Sequence, residues 1–86
     1  MGVRVIYSSF RVKHAREVAE AGTRSAIGNR DGDWALSFIE PPGQPLWVIV
    51  VDGPNGFSKS WAFDDDDQRF AVIRTRIAAD LPAPNP

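Results

Sequence analysis

The stretch LWVIVVDGPNGFSKSWAF, residues 46–63, decides the fold. Its first six residues are all apolar. A strand built from them wants cover on both faces, which marks a central strand. GPNG follows, in which Pro54 presets φ and Asn55-Gly56 accepts a chain reversal. FSKSWAF then alternates, with Phe57, Trp61 and Phe63 on one side of the pleat and Ser58, Ser60 and Ala62 on the other. Upstream, WALSFIE (residues 34–40) alternates in the same way, with Trp34, Leu36 and Phe38 sharing a face. PPGQP, between them, cannot supply a regular ladder and is a loop. Three successive strands with short connections predict an antiparallel meander.

Downstream comes AFDDDDQRF, with four consecutive aspartates, Asp64 to Asp67. Phe70, Ile73, Ile77 and Leu81 follow at helical spacing, and Pro82 stops the pattern. The expectation is that Asp64 is the N-cap of this helix and that Asp65 to Asp67 fill its first turn. Unpaired N–H groups and the positive dipole end favour carboxylates there, by roughly 0.3–1 kcal/mol each. Asp67 stands three residues after the cap, where a side chain reaches back in a capping box. A metal reading is weaker. Consecutive residues in a helical turn point about 100° apart and do not converge on one ion, and a calcium loop needs alternating ligands, a central glycine and a distant glutamate.

At the other end, VRVIYS (residues 3–8) places Val3, Val5 and Tyr7 on one face of a strand. RVKHAREVAEAG has Val12, Ala15, Val18, Ala19 and Gly22 on one helical side and Lys13, Arg16, Glu17 and Glu20 on the other. A helix is expected from about Arg11 to Ala21, with Gly22 as the left-handed residue beyond its end. TRSAI (residues 23–27) either extends that helix or forms a short strand, and NRDGD is a turn. The predicted fold is α+β, in the order β-α-β-β-β-α: an antiparallel sheet of about four strands with two helices packed on it. One small domain over 1–81 and a flexible tail over 82–86 are expected.

The 86 residues include no cysteine. That removes disulfides, thiolate catalysis and sulfur-ligated zinc. Small secreted domains depend on such staples, so a cytoplasmic location is expected, and no signal peptide is recognised. The longest apolar run, six residues, is far below the ~20 that span a bilayer. His14 is the sole histidine, so no histidine pair exists for a metal. No nucleophile-elbow pattern surrounds Ser8, Ser9 or Ser25. GPNGFSKS lacks the glycine before its lysine and leads into a strand, so it is not a phosphate loop. The chain is therefore expected to be no enzyme and to hold no metal or small-molecule cofactor.

Two binding roles remain. Residues 1–30 carry six arginines and lysines against two glutamates, whereas residues 31–67 carry one lysine against eight acidic residues. Arg4, Arg11, Lys13 and Arg16 are the candidate nucleic-acid contacts, with Tyr7 or Phe10 available for stacking. The strand-strand-strand-helix order resembles that of a double-stranded-RNA-binding domain. Such domains, however, place lysines where this chain has four aspartates, and a pI near 5.7 lacks a binder's basic footprint. The leading expectation is a protein-binding module, acting as a homodimer or on a larger partner that it inhibits or assists. Two helices cover one sheet face, so the aromatic residues Trp34, Phe38, Trp47, Trp61 and Phe63 are the candidate interface.

Overall fold

A computed structural model describes residues 2–83. The order is β1 (Gly2–Ser8), α1 (Lys13–Ile27), β2 (Asp33–Ile39), β3 (Trp47–Asp52), β4 (Ser58–Phe63) and α2 (Phe70–Asp80), with 3₁₀ turns at Pro54–Gly56 and Asp65–Asp67. The α+β class and the β-α-β-β-β-α order agree with the sequence reading. The four strands lie in the order β1-β2-β3-β4. β2, β3 and β4 form the antiparallel meander.

The sheet is mixed, which corrects the antiparallel expectation: β1 runs parallel to β2. The cause is α1. A helix between two neighbouring strands carries the chain back to the end from which it started, so the second strand repeats the direction of the first. The β1–β2 register also shifts between Val5 and Tyr7, leaving Ile6 as the extra residue of a bulge. Val3 and Val5 therefore face the helices, paired with Trp34 and Leu36, whereas Tyr7 pairs with Ser37 on the opposite face.

α1 is longer than the sequence reading, because TRSAI continues it. Its buried stripe runs through Ala19, Gly22, Thr23, Ala26 and Ile27. The helix ends at Gly28, whose φ of 58° is the left-handed geometry that favours glycine, and whose N–H donates to the Arg24 carbonyl at 2.9 Å. Gly22 is thus not the end of the helix but the site where α2 comes close. A Cβ there would stand 2.9 Å from the Ile73 Cγ2 and 3.2 Å from the Phe70 carbonyl oxygen. Glycine inside a helix costs about 1 kcal/mol relative to alanine. Here the close approach of the two helices offsets that cost. Thr23, fully buried, satisfies its hydroxyl on the Ala19 carbonyl at 2.8 Å.

The four aspartates also differ from expectation. Asp64 does cap, accepting from the Asp66 N–H at 3.2 Å, but it caps the separate 3₁₀ turn Asp65–Asp67. α2 begins only at Phe70, behind an extended Arg69. Gln68 holds the break by donating to the Pro45 and Phe63 carbonyls, both at 3.1 Å. Asp67 makes no capping box and lies instead 3.7 Å from Arg76. Ile73 and Ile77 are fully buried and Leu81 is buried, as their spacing predicts. Phe70 leaves the stripe and is 43% exposed, with Arg74 over its ring at 5.9 Å.

Both helices pack on the face carrying Trp34, Leu36, Phe38, Trp47, Ile49, Val51, Trp61 and Phe63, and these residues with Ile27, Ile73 and Ile77 are the core. Each fully buried aliphatic or aromatic side chain contributes about 1.5–3 kcal/mol. Phe10, in the β1–α1 connection, closes one end of this layer, with ring centroids 6.0 Å from Phe38 and 5.1 Å from Trp47. The carbonyl of Pro82, just past α2, accepts from Arg30 Nε at 2.8 Å, so the start of the expected tail is held. Residues 84–86 lie outside the described residues.

Trp61 satisfies its indole N–H on Asp80 at 2.8 Å, and Lys59 stands 3.6 Å from the same carboxylate. The Trp61 hydrogen bond and then the Lys59 charge hold the Asp80 carboxyl below its ordinary value of 3.8. A carboxylate with a depressed folded-state pKa adds stability that is complete above the unfolded value and is lost as pH falls through the folded one. Asp80→Asn is therefore expected to melt below the wild type at pH 7, with the gap closing below about pH 4. Thermal melts of the two proteins from pH 7 to pH 2 measure it, and a gap constant over that range contradicts the assignment.

Candidate functional site

The fold leaves two surfaces of interest. The first is the sheet face opposite the helices. It presents Ala35, Ser37 and Ile39 from β2, Val48, Val50 and Asp52 from β3, and Ser58, Ser60 and Ala62 from β4. The alternation of each strand causes this, since every residue on the helix side leaves its neighbour on the other. Val48 and Val50 are the second half of the all-apolar β3 run. They are half-buried by their strand neighbours alone. On β1, Ile6 at the bulge and Tyr7 on this same face are 55% and 54% exposed. Two residues of β2 and β3 on this face carry a charge: Asp33, at the start of β2, and Asp52, which accepts from the Ser58 hydroxyl at 2.6 Å.

All five aromatic residues read as an interface lie in the core. Phe38 and Phe63 are fully buried, and Trp34, Trp47 and Trp61 nearly so. The physical reason is that in β2, β3 and β4 the face with the larger side chains is the one that the helices cover, so their aromatic side is sealed and the β-branched and small side stays open. The pattern of β3 already carried this signal in Val48 and Val50.

Both edges of the sheet bear an arginine from the neighbouring helix. Arg24 of α1 donates Nη1 to the Val3 carbonyl of β1 at 3.2 Å. Arg76 of α2 donates Nη1 to the Ala62 carbonyl of β4 at 3.0 Å and stacks over Phe63 at 4.4 Å. A guanidinium held on the main chain of an edge strand opposes pairing with a further strand.

The basic N-terminal third does not form one patch. Arg11 meets Glu40, its main-chain N–H donating to Oε1 at 3.0 Å and its Nε lying 3.8 Å away. Arg16 and Arg24 both pair with Glu20, at 3.7 and 2.9 Å. Arg4 lies on the open sheet face and interacts electrostatically with Asp33. Lys13 opens α1 on an exposed turn. Each exposed pair is worth no more than about 1 kcal/mol, but each lowers the local positive potential. His14 is exposed at the start of α1 and Ser25 at its far end, while the Ser9 hydroxyl accepts from the Glu40 N–H at 2.9 Å. These residues are not gathered into one site. Among the described residues, no three His, Asp or Glu side chains group as metal ligands, and no helix is long and apolar enough to cross a membrane.

The second surface is a cleft of about 450 Å³ at the end of the sheet where β2 begins and β3 turns into β4. Its walls come from Arg30 to Gly32, from Pro54 to Phe57 and from Pro82, with Trp34 between them. Gly53 makes this geometry possible: a Cβ there would stand 2.5 Å from the rigid Trp34 ring. Trp34 meets Phe57 edge-on with centroids 6.0 Å apart, and its indole N–H donates to the Asp31 carbonyl at 3.3 Å.

These features define a two-layer α+β domain with one open sheet face and one end cleft. No protein-family model matches the chain, and no curated protein or solved structure matches it either.

Proposed function

We propose that the protein is a small non-catalytic protein-binding module that pairs with a second copy of itself through the open face of its sheet. The observation that carries this reading is the one-sided placement of the helices, which leaves Ala35, Ile39, Val48 and Val50 without a covering layer. Apolar side chains on a sheet face are normally buried by a second layer, even where serines stand among them as Ser37 and Ser60 do beside Val50. A second copy supplies one of the same shape, by the self-complementary contact of a two-fold dimer. The arginines on β1 and β4 favour face-to-face packing over edge-to-edge addition.

The size of the face sets the strength. Four strands about 4.8 Å apart and about six residues long at 3.3 Å each give a plan area of roughly 400 Å². Side-chain relief and the Tyr7 ring raise this toward, but not beyond, the ~800 Å² per partner of a standard interface. A dimer with a Kd in the micromolar range is the expectation. The absence of cysteine suits a reducing cytoplasm as its place of action.

Sedimentation at tens of micromolar tests the reading. The wild type is expected at twice the 9.5 kDa chain mass, and Val50→Glu at the monomer mass with an unchanged far-UV spectrum. A wild type that stays monomeric up to millimolar concentration, or a Val50→Glu protein that still dimerises, overturns it. The alternative, nucleic-acid contact through Arg4, Arg11, Lys13 and Arg16, requires RNA or DNA binding that weakens steeply with salt. The pairing of Arg11 and Arg16 with glutamates argues against it.

A further inference from the structure

The end cleft is separate from the open sheet face and has its own chemistry, which centres on Arg30. Its guanidinium is fixed by three carbonyls: Nη1 donates to Ala26 at 2.7 Å and Ile27 at 3.1 Å, and Nε donates to Pro82 at 2.8 Å. These bonds use three of its five N–H groups and leave the two on Nη2. Among the described residues, no carboxylate lies within ion-pair distance of Arg30. The side chain is half-buried and lines the cleft beside Trp34, Phe57, Pro54 and Pro82.

We infer that this cleft binds a small carboxylic acid with an apolar ring. Its volume of about 450 Å³ falls within the range of small-ligand sites. A fixed guanidinium whose Nη2 is left to donate offers a carboxylate oxygen a charge-assisted hydrogen bond, and its immobilisation is already complete before the ligand arrives. The Trp34–Phe57 pair and the two proline rings offer the ring an apolar wall. The Trp34 donor is already satisfied, so that wall demands no polar partner. Asp31 also lines the cleft and opposes an anion. Its side chain is solvent-exposed, so its field is screened, whereas the guanidinium is partly desolvated and acts more strongly at close range.

The probes are phenylacetate and its neutral isostere phenylacetamide, titrated into the full chain and followed by amide and indole N–H chemical shifts. Phenylacetate is expected to shift the Trp34 indole and the Gly32, Asn55 and Gly56 amides saturably, and phenylacetamide to bind at least about tenfold more weakly. Arg30→Gln is expected to abolish that preference. Because Arg30 also holds the end of α1, Phe57→Leu serves as the second variant: it leaves the guanidinium in place and is expected to weaken both probes alike, keeping their ratio. No saturable shift at ten millimolar, equal affinity for acid and amide, or shifts confined to residues outside the cleft overturns the inference and leaves Arg30 as a clamp on Pro82 alone. Whether the protein dimerises does not affect the result, since the cleft lies at the end of the sheet.

Discussion

Phe38→Ala is expected to lower the stability of the fold by about 3–5 kcal/mol, the range for removing a buried phenyl ring. Phe38 is fully buried near the C-terminal end of β2, in ring contact with Phe10 and beside Ile49 in the β3 register. The loss combines the transfer free energy of the ring with the cavity left behind, because α1 and α2 cannot both sink into the gap. A chain of 86 residues has a total stability of roughly 4–13 kcal/mol. At about 4–8 °C per kcal/mol, the melting temperature is expected to fall by about 10–40 °C. Circular dichroism melts measure it. The result separates two roles for this residue: an interface phenylalanine would leave the monomer's melting temperature nearly unchanged and shift the association equilibrium instead. Val50→Glu is expected to show the reverse signature, with a large change in mass and a small change in stability.

Ile77→Ala is the second large effect, expected at about 2–5 kcal/mol. Ile77 is fully buried on α2, one turn beyond Ile73, whose Cγ2 occupies the notch at Gly22. Truncating Ile77 removes the anchor that holds the second half of α2 on the sheet, and the last turn carries Asp80, which satisfies the Trp61 indole. Loss of the anchor therefore also loosens a buried donor. Thr75→Ala, on the exposed side of the same helix, is expected to change stability by less than about 0.5 kcal/mol. Denaturant titrations of the two variants give the comparison. Equal small effects would mean that α2 does not dock through this stripe.

The readings that held are those in which a short-range pattern has one physical solution. Ile73, Ile77 and Leu81 recur at helical spacing, and burial of that stripe follows from it. The Pro54-Asn55-Gly56 reversal follows from a preset φ and from Asn55 adopting a φ of 60°. The boundary errors arose where one residue type answers two demands. Gly22 suits a helix end and suits a close helix–helix contact equally well, and only the position of Ile73 decides between them. The aspartates suit the first turn of any helix, and a 3₁₀ turn at Asp65–Asp67 uses Asp64 as well as α2 would have done.

The sequence by itself determined the element order, the identity of the central strand and the side of β2, β3 and β4 that carries the large side chains, because each rests on a period of 2 or 3.6 residues along the chain. In β1 the bulge at Ile6 breaks that period and turns Tyr7 to the other face. The direction of β1, the face that the helices choose and the cleft at the sheet end were decided only by the tertiary structure. Each depends on residues far apart in the chain meeting in space: Val3 with Trp34, Gly22 with Ile73, Arg30 with Pro82. Alternation states that β3 has two apolar faces but not which one two helices with small-residue stripes will seal. Packing settles that point, since two helices bury more apolar area against the rings of Trp34, Phe38, Trp61 and Phe63 than against Ala35, Ser60 and Ala62, and the smaller face is left open.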